Sequence, residues 1–91
     1  MNEKTLFFKE LQIIQDTTIN IIISQKDEFN DIEEMLIEAT FDVIYRCMEL
    51  LDGYGLNGTK YAINNLDINK CINKEMNLHD LCEEYLKHTN I

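Results

Sequence analysis

The chain contains no proline and only three glycines in 91 residues, so little interrupts regular structure and long elements are expected. Its three cysteines, Cys47, Cys71 and Cys82, are an odd number without CxxC spacing. That pattern suits reduced thiols in the cytoplasm, not a disulfide framework. Basic residues are scarce: eight Lys and Arg stand against 17 Asp and Glu, for a formal net charge of −9. Such a balance disfavours direct binding to nucleic acid phosphates or to an anionic membrane surface, and favours basic partners. Long apolar runs are also missing. The longest, Ile21–Ile23, is far too short to cross a bilayer. The opening MNEKTLFFKELQ has no basic region leading into an apolar run, so it does not read as a secretion signal.

The remaining composition belongs to a folding chain. Hydrophobic residues make up 45%, which argues against disorder despite the charge. The length allows one domain, residues 1–91, with a thin stability margin.

The charge is unevenly placed. Between Asp27 and Gly53 there are nine acids and one arginine, Arg46, so this stretch carries −8 of the −9. The same stretch reads as a long helix over about residues 30–52. Ile32, Met35, Leu36, Ala39, Val43, Ile44, Cys47, Leu50 and Leu51 recur at steps of three and four. Ile37, Phe41 and Met48 widen this apolar arc beyond half the circumference. A helix that apolar is expected to pack on two sides, against a neighbouring helix and sheet or against a second subunit. The remaining sector holds Glu34, Glu38, Asp42, Tyr45, Glu49 and Asp52 in a row, with Arg46 able to pair with Asp42 or Glu49. Asn30 has capping-box spacing to Glu33, and Gly53 suits a left-handed helix end.

Ahead of this lies a first helix, residues 3–24, with Leu6, Phe7, Leu11, Ile14, Thr17, Thr18, Ile21 and Ile22 on one face. Its β-branched end, Thr17–Ile23, would also suit a strand, but the helical spacing continues through it. Ile19 and Ile23 fall outside the apolar arc. They mark a dimer contact unless a third element covers them. After the long helix, the loop Gly53–Gly58 lacks the spacing of a phosphate cradle and reads as a connector. A short β-hairpin is expected at about Lys60–Asn65 with about Lys70–Asn73. A last helix is expected over about residues 77–88, capped by Asn77, with Leu78, Leu81, Cys82, Tyr85 and Leu86 on its buried stripe. The fold class is therefore α+β: a mainly helical domain of two long antiparallel helices, a β-hairpin and a C-terminal helix.

Chemistry-bearing clusters are few. His79, Cys82, Glu83, Glu84 and His88 are metal-capable types, but His79 and His88 lie on opposite sides of a helix, so one ion cannot reach both. Cys82 with His79 lacks an oxyanion site and a third orienting group. No catalytic residue, metal or cofactor is expected.

The acidic row is the candidate partner site. Carboxylates one helical turn apart rise about 5–6 Å per step, close to the spacing of phosphates along a nucleic acid strand. Like charges at i,i+4, such as Glu34/Glu38 and Glu38/Asp42, oppose the helix and so point to a basic partner. Tyr45 within the row would be the anchor. In strategy the chain resembles, at the level of class, phage-encoded inhibitors such as anti-CRISPR proteins and the acidic immunity proteins that block nuclease toxins. The resemblance implies a non-enzymatic inhibitor of a nucleic-acid-binding protein and transfers no residue role. The alternative expectation is a homo-oligomeric structural or regulatory subunit, with the acids serving solubility.

Overall fold

The computed structural model describes residues 2–88. Helix α1 spans Glu3–Ser24, and the Asn2 side chain caps it by accepting from the Thr5 N–H at 2.8 Å. The β-branched stretch Thr17–Ile23 remains helical. A short 3₁₀ turn, Lys26–Glu28, leads into α2, Ile32–Glu49. The cap of α2 is Asp31 and not Asn30: Asp31 accepts from the Glu34 N–H at 2.8 Å. The Asn30 amide instead donates to the Glu34 carboxylate at 3.0 Å.

The long helix does not simply stop at Asp52. Its last turn, Leu50–Tyr54, widens to π geometry and breaks at Gly53, whose φ of +101° only glycine adopts without strain. The expected hairpin is present but short. Strand β1 (Asn64–Asn65) pairs antiparallel with β2 (Lys70–Cys71), in register Asn64 with Cys71 and Asn65 with Lys70. The expected C-terminal helix is also shorter. A 3₁₀ turn, Leu78–Leu81, runs into a single α turn, α3, at Cys82–Tyr85. Tyr85 is exposed instead of buried, and Lys87 and His88 lie beyond the helix end.

α1 and α2 run antiparallel, with Thr18 against Asp42 near the turn end and Glu10 near Leu50 at the other. The C-terminal segment packs on one side of α2, and the stretch ahead of the hairpin is tied to α1. The ring contacts Phe7–Tyr61, Tyr45–His79 and Phe41–His88, at 5.2, 5.5 and 5.3 Å between centroids, mark where they dock.

Among the described residues, the buried apolar side chains are Ile22, Leu50 and Cys82. Four polar ones, Glu10, Thr18, Asp52 and Asn73, are buried with them, so polar pins join apolar packing in fixing the fold. Buried polar groups are tolerated only when hydrogen-bonded, and all four are. Asn73 accepts from the Ile63 N–H at 2.9 Å and donates to the Tyr61 carbonyl at 2.7 Å, closing the hairpin where two-residue strands could not.

The opposite side of the α1–α2 pair is uncovered. Each residue turns a helix by about 100°, so position on either helix can be read from residue number. On α1 the covered side centres on Phe7, Ile14 and Thr18. On α2 it runs through Met35, Asp42 and Arg46 to Tyr45 and Phe41. Viewed from each N-terminus, the exposed apolar strip lies clockwise of the contact with the other helix. Because the helices are antiparallel, the two clockwise sides coincide. Ile19 and Ile23 of α1 therefore share one open face with Ile32 and Leu36 of α2, exposed by 48%, 60%, 70% and 56%. The expectation that a third element would cover Ile19 and Ile23 is not met.

Candidate functional site

The row Glu34, Glu38, Asp42, Tyr45, Glu49 and Asp52 is expected from the sequence to face a partner. The structure turns that sector of α2 partly inward, toward α1 and the C-terminal segment. Asp42 accepts from the Thr18 hydroxyl at 2.6 Å and from Arg46 Nε at 2.9 Å, so both an intrachain cation and a hydroxyl already engage it. Glu34 is half-buried and tied to Asn30. Glu38 and Glu49 are half-buried, and Glu49 lines the cleft between α1 and the end of α2. Tyr45 stacks on Phe41 at 5.9 Å and meets the His79 ring edge to face. Burial, and then the charges of Glu49, Asp80, Cys82 and Glu83, push its phenol above the usual range.

Asp52 must be removed from the row altogether. Its side chain is fully buried, and it accepts from the N–H groups of Leu78 at 2.8 Å and His79 at 2.9 Å. Its other close partner is the imidazole Nδ1 of His79 at 2.6 Å. Burial opposes its charge, but these donors and the His79 ring outweigh it and hold the carboxyl below the ordinary carboxylate range. Asp52 thus caps the C-terminal 3₁₀ turn from 26 residues away. The expected cap, Asn77, makes no side-chain bond of that kind. The physical reason for the correction is simple: the first two N–H groups of that turn need an acceptor, and the end of α2 supplies it.

His79 stands at the centre of this knot. Its Nε2 lies 3.3 Å from Asp80, and the rings of Tyr45 and Tyr54 meet it in T-shaped contacts at 5.5 and 5.3 Å. The arrangement is that of a structural clamp. Cys82 beside it is buried, and burial, with the charges of Asp52 and Glu49, pushes its thiol up, away from the thiolate a nucleophile requires. Among the described residues, no group of three His, Cys, Asp or Glu side chains is placed to hold a metal ion.

A second clamp, unseen in the sequence, joins Glu10 to the loop after α2. The buried carboxylate accepts from the Leu56 N–H and, at 3.3 Å, from the Asn57 side-chain amide. Gly55 lets the loop approach. A β-carbon there would stand 2.5 Å from Leu50 and 2.6 Å from the Glu10 carboxylate. The adjoining cleft, between Ile13, Ile14, Arg46, Glu49 and Tyr54, holds about 190 Å³. That is below the range of about 300–1,000 Å³ usual for small-molecule sites.

With the row drawn inward, the exposed acids lie elsewhere. Asp27, Glu28, Asp31 and Glu33 are all exposed at the tip where α1 turns into α2, with Lys26 the one basic residue among them. No helix of the described residues is long and apolar enough to cross a membrane. No protein-family model matches the chain, and the searches of curated proteins and of solved structures return no significant match.

Proposed function

We propose that the chain is a non-enzymatic interaction protein of the cytoplasm that docks, through its acidic α1–α2 tip, onto a basic surface of another protein. The observation that carries this reading is the charge distribution. The stretch 27–53 holds −8 of the −9 net charge, and four of its acids are exposed within seven residues at the tip. Half-buried Glu34, Glu38 and Glu49 extend the negative field along α2. A surface of one sign steers a complementary partner, giving fast, salt-sensitive association. Nucleic-acid-binding proteins present such basic surfaces, so an inhibitor that masks one of them, in the manner of phage-encoded inhibitors, is the specific form of the proposal. The free thiols Cys47, Cys71 and Cys82 are in keeping with a reducing compartment.

The test is capture of partners from an extract of the source organism at low and at high salt. Wild-type protein is compared with an Asp27→Lys, Glu28→Lys variant. These side chains are exposed, so the fold should persist, as circular dichroism would show. Capture that weakens with salt and is lost in the variant supports the proposal. Capture that is indifferent to both sinks it.

A further inference from the structure

We propose that the open face of α1 and α2 is the interface of a homodimer, in which two copies pack face to face as a four-helix bundle. Three observations carry this, and the first two owe nothing to the acidic tip.

The first is area. The chain exposes 6837 Å², whereas a folded monomer of 10.8 kDa exposes about 5,500 Å². The excess, about 1,300 Å² per copy, is more than the roughly 800 Å² each partner contributes to a standard interface. The molecule is accordingly flat, 44 × 32 × 20 Å, with a radius of gyration of 14.9 Å against about 12 Å for a compact chain of this length. Exposed Ile19, Ile23, Ile32, Leu36 and Ile44 place part of that excess on the open face.

The second is chemistry. From Leu36 to Glu49, every charged residue of α2 (Glu38, Asp42, Arg46, Glu49) lies on the covered half. The open half carries Leu36, Thr40, Val43, Ile44 and Cys47. In a chain of net charge −9, a lane this long without charge offers nothing to a basic protein or to a nucleic acid. It matches another lane of the same kind, and the strip of α1 through Phe8, Ile19 and Ile23 is equally uncharged.

The third is the placement of the two charges at the ends of the face. Glu33 lies on the open side of α2 at the tip, and exposed Lys4 lies on α1 at the far end. A two-fold axis across the middle of the layer sets the tip of one copy against the far end of the other. Each Glu33 then shares an end of the bundle with Lys4 of the second copy, so charges of opposite sign meet at both ends of an isologous interface. The acids on the other side of α2 stay clear of the interface, so the dimer presents two acidic surfaces.

Sedimentation equilibrium of the whole chain, from low micromolar to submillimolar concentration, tests this at low and high salt. The expected result is a monomer–dimer equilibrium that tightens as salt rises, because screening reduces the repulsion between two strongly acidic chains. That dependence is opposite to the one expected for docking of the tip on a basic protein, so the two proposals fail separately. A Leu36→Glu, Ile44→Glu variant should weaken the dimer at least about 100-fold while keeping its helical circular dichroism, since both positions are exposed in the single chain. Alkylation of Cys47 should slow with protein concentration relative to Cys71 on the hairpin, a readout that requires no variant. A wild-type monomer throughout overturns the proposal. Dimerisation unchanged in the folded variant, or a Cys47/Cys71 labelling ratio independent of concentration, overturns it as well.

Discussion

Replacing Asp52 by asparagine should release the C-terminal segment. The carboxylate accepts from two backbone N–H groups and one imidazole nitrogen, all within 2.9 Å, and its side chain has no solvent contact. Each charge-assisted bond contributes about 1.5–3 kcal/mol. Asparagine keeps the shape and one acceptor oxygen, but it turns an N–H toward a group that also donates. The net loss should be about 2–4 kcal/mol, against the roughly 5–10 kcal/mol that holds a small domain together. Urea unfolding followed by far-ultraviolet circular dichroism gives the size of the loss. Hydrogen exchange should place it in residues 78–86 before α1 or α2 is affected. The pH dependence carries a sign. The folded carboxyl is held below its ordinary value of 3.8, so its contribution is complete above that value and is lost as the pH falls through the folded one. Wild-type stability should therefore fall in acid by a component that the asparagine variant lacks. A loss below about 0.5 kcal/mol, the size of an ordinary surface change, would refute the assignment of Asp52 as a buried cap.

Two other substitutions probe the remaining pins. Gly55→Ala drives a methyl group into Leu50 and the Glu10 carboxylate and should cost about 1–3 kcal/mol in thermal or urea unfolding. Asn73→Ala leaves the Ile63 N–H and the Tyr61 carbonyl unpaired, so exchange protection should drop across 61–73 while the helices remain, at a cost of about 1–3 kcal/mol.

Much of the architecture is legible in the sequence because it follows from periodicity. The bounds of α1, the positive φ at Gly53 and the presence of a hairpin between about Lys60 and Asn73, though not its length or register, follow from spacing and turn chemistry. The inward and outward assignment of α2 does not. A wide apolar arc and a narrow acidic row suggest that the arc builds the core, and nothing local to α2 shows that Thr18, His79 and the N–H of Leu78 will come to meet the acids. Those partners lie 24 to 27 residues away, and a hydrogen bond at that separation leaves no periodic trace. Glu10 is hidden for the same reason, since a glutamate on a helix reads as solvated until its acceptor role is seen. Ile19 and Ile23 are the instructive exception. Their position outside the arc marks them as unaccounted for, and they are exposed.

The Glu10 clamp orders events in time as well as in space. The chain is made from its N-terminus. By Tyr54 the residues of both long helices are all present, yet the protein donors that satisfy the carboxylate once it is buried between them are not. The N–H of Leu56 and the amide of Asn57 arrive only afterwards. Until then the desolvation of Glu10 works against the pairing of α1 with α2. The loop that reads as a simple connector is thus the latch, and the helical pair is closed by the residues that leave it.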